Sequence, residues 1–497
     1  MNKVVLKELP DNWEWRTMEE IADVIGGGTP KSKEKRFFDG GEIPWLTPAD
    51  LSGYSSKHIS RGARNITEEG LNSSSAKLMP AGTVLFTSRA PIGYVVIAKN
   101  EISTNQGFKS FVIKSKDILP DYVYWWLKGN KHLAESMASG TTFLELSGSK
   151  AKQLPIPIAP PDQQKRIVAK IEELFSHIDA GIEALKKAKQ LLKQYRQSVL
   201  KAAVTGELTK EWREARNKDD AQGSANVVGG RTPGATKLEP ASELLKRILK
   251  ERRQKWEEQQ LEQFKTKGKV PKDDKWKEKY KEPESKITKD VELPDGWQIC
   301  VFDQLITELK NGVSRKPTGE SGLAIFRISA VRPMQVKKDD VRFLPKDFDS
   351  SGYKVENDDL LFTRYNGNTE FVGVCGKVRG LQRETVYPDK LIRARLVNKG
   401  LVSSDYVELS MNCGISKKFI RSSTKTTAGQ SGVAGGDLKK CPVVLPSYAE
   451  QLLIAEIVGE KFAAIEKLSI DLDAQLVKAE KNKQSILASA FLGQIME

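Results

Sequence analysis

Residues 162–208 read DQQKRIVAKIEELFSHIDAGIEALKKAKQLLKQYRQSVLKAAVTGEL, without a proline and with glycine only at Gly181 and Gly206. Counted by sevens, Ile171, Ile178, Leu185, Leu192 and Val199 fall on one position. Leu174, Gly181, Ala188, Tyr195 and Ala202 fall on a second, three residues later. Lys, Arg, Glu and Gln fill the other faces, so the pattern is a heptad seam on one long helix. At 1.5 Å per residue such a helix spans about 69 Å, several times the usual length in a globular domain. One apolar stripe on a lone helix needs a partner to bury it.

The chain contains a candidate partner. Glu450–Ile495, EQLLIAEIVGEKFAAIEKLSIDLDAQLVKAEKNKQSILASAFLGQI, aligns with the first stretch at one constant offset and without a gap. Pro155 meets Pro442, Gln164 meets Gln451, Phe175 meets Phe462, and Gly206 meets Gly493. Val458, Phe462, Ile465, Leu472 and Ile486 are the expected packing residues of this second helix. Its later heptad position is poorer, with Lys461, Gln475 and Asn482, as suits a helix with several neighbours. The repeat continues upstream. Leu9-Pro10-Asp11-Asn12-Trp13 is echoed by Leu293-Pro294-Asp295-Gly296-Trp297, Leu85-Phe86-Thr87 by Leu361-Phe362-Thr363, and Asp121-Tyr122-Val123 by Asp405-Tyr406-Val407. There the offset drifts, because loops accept insertions and a helix seam does not.

The fold expected is α+β: two globular α/β halves in internal pseudo-repeat, joined by two long antiparallel helices forming a coiled coil. The boundaries are a first globular half over 1–155, a first long helix over 156–208, a central linker and charged helical region over 209–290, a second globular half over 291–442, and a second long helix over 443–497. In the central region, 217–236 reads as a flexible linker, Glu239–Phe264 as a helix, and Lys265–Lys289 as a solvated connector of mixed charge.

At 497 residues, 39% hydrophobic and 29% charged, the chain is long enough for two or more domains and too apolar to be disordered. No apolar run reaches the roughly 18 residues of a membrane span, and MNKVVLKELPDNW lacks a signal-peptide core. The four cysteines, Cys300, Cys375, Cys413 and Cys441, have no CxxC spacing and read as thiols of a reducing cytoplasm. Lys and Arg number 80 against 65 Asp and Glu, an excess of 15 that suits a polyanionic partner. No catalytic motif is apparent, whether HExxH, GxSxG, a P-loop lysine or the Asn/Asp-Pro-Pro-aromatic tetrapeptide of DNA amino-methyltransferases. No metal-ligand spacing is apparent either. Gly26-Gly27-Gly28 is followed by Pro30 and reads as a turn, not a phosphate cradle.

What remains is a set of polar and basic loops in each half. In the first half they carry Thr29, Lys31, Lys33, Lys35 and Arg36, then Thr87, Ser88 and Arg89, then Asn105, Gln106 and Lys109, then Thr141 and Thr142. In the second half they carry Asn311, Arg315 and Lys316, then Thr363, Arg364, Tyr365, Asn366 and Asn368, then Lys425, Thr426, Thr427 and Gln430. Arg suits guanine edges, Asn and Gln suit adenine edges, and Lys and Thr suit phosphate oxygens. Matching loops with the same chemistry in both halves make these the candidate DNA contacts.

The sequence resembles the specificity subunits of type I restriction–modification systems. LPDNWEW and LPDGWQI look like that family's domain openings. IGGGTPK with IPWLTPADL, and LFTSRAPIGYVVIAKNEISTNQGFKSF, resemble its target-recognition domains. LPIPIAPPDQQKRIVAKIEELF and RQSVLKAAVTGEL resemble its proline-led long helix, and PASELLKRILKERRQKWEEQQLEQF its central conserved region. The second half departs from the pattern, with Thr363-Arg364-Tyr365-Asn366-Gly367-Asn368 where the first has SRAPIG, which suggests that the halves read different sequences. The resemblance implies a non-catalytic subunit that recognises a bipartite, asymmetric double-stranded DNA target. It implies two modification (methyltransferase) subunits and restriction (motor–nuclease) subunits as partners. S-adenosylmethionine, ATP and Mg²⁺ would then belong to those partners and none to this chain. The competing readings are a single-chain DNA methyltransferase or nuclease with divergent motifs, and a coiled-coil assembly protein that never meets nucleic acid.

Overall fold

The computed structural model describes residues 8–89, 91–140, 144–221, 238–284, 291–427 and 430–495. The chain mixes helix and sheet, and it divides into two compact units. Residues 1–189 and 470–497 form the first, and residues 190–469 form the second.

In the first unit, the opening strand Glu14–Thr17 pairs antiparallel with Pro155–Ile158, so the globular part is zipped shut where the long helix leaves it. Its main sheet runs in the order Ala22–Gly26, Phe108–Ile113, Val84–Thr87, Val95–Ala98, His58–Ile59. Val84–Thr87 is buried on both faces. One face is covered by the helix Pro120–Gly129, whose Tyr122 to Leu127 are all buried. That helix ends at Asn130, and a second helix, Lys131–Met137, follows.

The second unit repeats this plan. Gln298–Val301 pairs with Pro442–Leu445, and the main sheet runs Ile306–Asn311, Leu391–Leu396, Leu360–Thr363, Cys375–Lys377. Leu360–Thr363 is the equivalent buried strand, and Ser404–Met411 the equivalent covering helix. The helix Ala241–Thr266 buries Leu244, Leu245 and Ile248 against this core. Further along, Trp256 stacks on Trp276, their centroids 6.0 Å apart. The start of the expected linker is helical instead, since a helix runs over Lys210–Ala221. Residues 222–236 of that linker and 285–289 of the connector lie outside the described residues.

The first long helix is Pro161–Thr205 and the second Tyr448–Ala490, of 45 and 43 residues. Proline at the first helical position costs no hydrogen bond, since that N–H has no intrahelical partner. The first helix stops just before Gly206, with φ +79°, and the second three residues short of Gly493, with φ +76°, both in the left-handed region. A Cβ on Gly206 would lie 2.4 Å from Pro294 Cγ, and one on Gly493 2.6 Å from Pro10 Cγ. In each unit, then, a helix ends against the Leu-Pro-Asp opening of a globular part.

Within the first unit the two helical stretches are antiparallel. Lys189 pairs with Asp473 at 2.5 Å, and Lys483 pairs with Asp179 and lies over the Phe175 ring. Within the second unit Lys461 reaches the Tyr195 hydroxyl, and Arg196 lies 4.0 Å from the Phe462 ring centroid. Ile171, Ile178, Leu185, Leu192 and Val199 are all buried or half-buried, as are Val458, Phe462, Ile465, Leu472 and Ile486. The companion position is different from the one the heptad count suggested. It lies four residues after the first, at Phe175, Ile182, Lys189, Arg196 and Ala203, not three. Tyr195 is 47% exposed while Ile182 is 7% exposed. At 3.6 residues per turn, a residue four along lies about 40° from its predecessor and one three along about 60°, so the fourth sits nearer the seam. On the second helix the same correction replaces Lys461, Leu468, Gln475 and Asn482 by Phe462, Ser469, Leu476 and Lys483, which are half-buried. Where the seam carries Lys189, Arg196 and Lys483, their aliphatic stems cover apolar surface and their charges find a carboxylate or a ring.

Candidate nucleic-acid interface

In the second unit the chain opens a cleft of about 830 Å³, and several polar loops meet there. Arg315 and Lys316, after the strand Ile306–Asn311, form one side with Pro388, Asp389 and Lys390. Tyr365, Asn366 and Asn368, just past the buried strand Leu360–Thr363, form another with Gln430. Gln430 begins the strand Gln430–Gly432, which pairs with Lys425–Thr427 on one side and Tyr365–Asn366 on the other. A β-ribbon is one of the shapes that a DNA major groove admits. Lys425, Thr426 and Gln430 are exposed on it; Thr427 ends the first strand of the ribbon. Asn311 is exposed at the end of its strand.

Sequence reasoning missed Arg327, Arg332 and Arg342 on the same cleft. They stand at or near the ends of the strands Leu323–Phe326, Val331–Arg332 and Val341–Leu344. The arginines of FRISAVRP hinted at Arg327 and Arg332 but not at Arg342. The cleft is lined by Arg315, Lys316, Arg327, Arg332, Arg342 and Lys390 against the single carboxylate of Asp389. Such a surplus of positive charge in a concave site focuses the field on an anionic ligand.

The asparagines are committed more than their type suggested. Asn366 Oδ1 accepts from Asn368 N–H at 3.0 Å, and Asn368 Oδ1 accepts from Glu370 N–H at 2.9 Å. With their carbonyls turned to backbone, these amides offer donors, not the donor–acceptor pair that fits an adenine edge. Among the described residues Gln430 makes no side-chain hydrogen bond.

In the first unit Thr29, Lys31, Lys33, Lys35 and Arg36 form an exposed loop, where Thr29 bonds Gln106 and Arg36 pairs with Glu69 at 2.9 Å. Arg89 is half-buried, 2.7 Å from Glu145, with Lys109 nearby on the strand Phe108–Ile113. Partial burial, aided by the Arg89 charge, pulls the Lys109 ammonium below the ordinary lysine range despite Glu145. Asn105 Oδ1 caps Gly107 N–H at 2.9 Å, the same commitment as in the second unit.

Three expected contacts are placed elsewhere. Thr87, Ser88 and Thr363 are fully buried. Thr87 Oγ1 donates to Pro91 O and accepts from Tyr94 N–H, Ser88 Oγ donates to Gly107 O, and Thr363 Oγ1 donates to Phe371 O. These hydroxyls hold the turns that leave the central strand, so no surface for DNA remains on them. Arg364 is half-buried, 4.8 Å from the Tyr365 ring centroid, and does not line the cleft. Thr141 and Thr142 lie outside the described residues.

Among known proteins, a family model described as "Type I restriction modification DNA specificity domain" matches residues 10–192. The chain is 27% identical over 503 residues to the type I restriction enzyme EcoKI specificity subunit of Escherichia coli strain K12, covering 98% of this chain and 90% of that one. It is 41% identical over 208 residues to the MjaIX specificity subunit of Methanocaldococcus jannaschii, covering 41% and 44%. Two solved chains share the fold at 14% identity. One comes from work on complex assembly and conformational transition of the type I R-M system, with TM-score 0.64 over 98% of this chain and all of that one. The other is the HsdS subunit of Thermoanaerobacter tengcongensis, with TM-score 0.52 over 99% of this chain and all of that one. The specificity-domain match over residues 10–192 and the likeness along nearly the whole chain make this protein similar to type I restriction–modification specificity subunits.

Proposed function

We propose that this chain is the DNA-recognition subunit of a type I restriction–modification complex. It reads a bipartite, asymmetric target and scaffolds two modification subunits and the restriction subunits. Residues 1–155 and 291–442 are two target-recognition domains, one per half-site. Residues 156–208 and 443–497 form an antiparallel coiled coil that sets their spacing and binds partners, and residues 209–290 link the repeats. The chain works in the cytoplasm and does no chemistry itself; S-adenosylmethionine, ATP and Mg²⁺ serve its partners.

The observation that carries this reading is the cation-lined cleft of the second unit. Arg315, Lys316, Tyr365, Asn366, Asn368 and Gln430 were singled out from sequence as DNA contacts, and all six line it. In the first unit the corresponding contacts are Thr29, Lys31, Lys33, Lys35, Arg36, Arg89, Gln106 and Lys109. Phosphate contacts release counterions, so affinity for DNA should fall steeply and log-linearly with salt. Titrating the full chain with duplex DNA across salt concentrations should show that slope, while a methyl-transfer assay on the chain alone gives no product. Salt-independent binding, or methylation by the isolated chain, would refute the reading.

A further inference from the structure

The geometry points to Arg332 as the guanine-reading side chain of the second unit, a role that rests on the DNA-recognition reading above. A residue that reads a base must hold its hydrogen-bonding edge in place before the DNA arrives, whereas a phosphate contact needs only charge within reach. The cations of the cleft differ in this respect. Lys316, Arg342 and Lys390 make no side-chain hydrogen bond or ion pair among the described residues, and Lys316 and Arg342 are exposed. They suit phosphates. Arg315 lies a loose 6.0 Å from the Phe348 ring centroid, and Arg327 is 3.6 Å from Asp340, which already uses part of its charge.

Arg332 is fixed on two sides. Its guanidinium lies 4.6 Å from the Phe371 ring centroid, and its Nη1 donates to Val331 O at 2.9 Å. Both Arg332 and Phe371 are half-buried and line the cleft. One N–H of the five is spent on Val331, which leaves donors for a ligand. A planar fork held over a ring on the lining of the cleft suits the O6 and N7 acceptors of guanine, the commonest specific contact an arginine makes. The segment that positions it is short and braced. Val331–Arg332 pairs with Gln335–Val336, and Met334 between them has φ +63° with its N–H on Cys375 O. The turn is thereby tied to the main sheet, so the stack is set by the core and not by a free loop.

The test uses the full chain and duplexes carrying its target, each G·C pair of the second half-site replaced in turn. The wild type should lose about tenfold to a hundredfold in affinity when one particular G·C pair is replaced. R332Q and R332K should bind the original and that replaced duplex equally, with other positions still discriminated. Lysine keeps the charge but not the fork, and it covers the case in which R332Q does not fold. R342Q should keep the base preference, bind every duplex more weakly, and show a salt slope shallower by about 1. The assignment is overturned if R332K retains the wild-type preference, or if R332Q weakens all duplexes alike and lowers the salt slope as R342Q does. A wild-type chain without preference for any duplex would overturn the DNA-recognition reading itself.

Discussion

Glu450 shows how single residues carry the repeat. It is buried where the second long helix begins, and its Oε1 accepts from Thr209 Oγ1 at 2.6 Å and Arg213 Nη1 at 2.5 Å. Its Oε2 accepts from Trp297 Nε1 at 2.7 Å. At the matching place in the first unit Gln163 Oε1 accepts from Trp13 Nε1, also at 2.7 Å. The tryptophan-to-helix bond is thus duplicated, but only the second copy adds a buried arginine. Removing one partner of a buried ion pair strands the other, at about 3–5 kcal/mol. Glu450→Ala should therefore lower the stability of the second unit by about that much. Glu450→Gln should cost less, because it keeps the bond that Gln163 makes. Denaturant unfolding followed by tryptophan fluorescence checks the order; equal losses for both variants would leave the whole effect to the ion pair and remove the Trp297 bond from the explanation.

At the scale of elements, the helices were legible in the sequence because spacing alone defines them. Ile171, Ile178, Leu185, Leu192 and Val199 needed no tertiary information. The second seam position did, since residues three and four along both lie in the apolar stripe, and the approach of the neighbouring helix decides between Tyr195 and Arg196. The cleft was half legible for a similar reason. Loop residues such as Arg315 and Gln430 were identified by type, but Arg332 enters through a short strand whose place is fixed by pairing, not by local pattern. The amides of Asn366 and Asn368 looked like adenine readers until their turns were seen to use the carbonyls. If the helices set the half-site spacing, adding one heptad to each, at matched positions, preserves the seam and adds about 10 Å, or about three base pairs. Mapping the methylated site of that variant should show a longer gap between unchanged half-sites; an unaltered gap would remove the helices from the role of spacer.

For the whole molecule, the duplication means one plan executed twice with different loops. Each unit closes its globular part against the end of a long helix, at Gly206 against Pro294 and at Gly493 against Pro10. Those closures match because they are structural, while SRAPIG and TRYNGN differ, as the proposed reading of two different half-sites requires. The most direct test of this division exchanges residues 29–142 for the matching region of a relative with a known target. The readout is the sequence methylated in cells that also carry the modification subunits. One half-site should change to the relative's, with the other half-site and the gap between them retained. A change in both half-sites, or in neither, would contradict the assignment of one reader to each repeat.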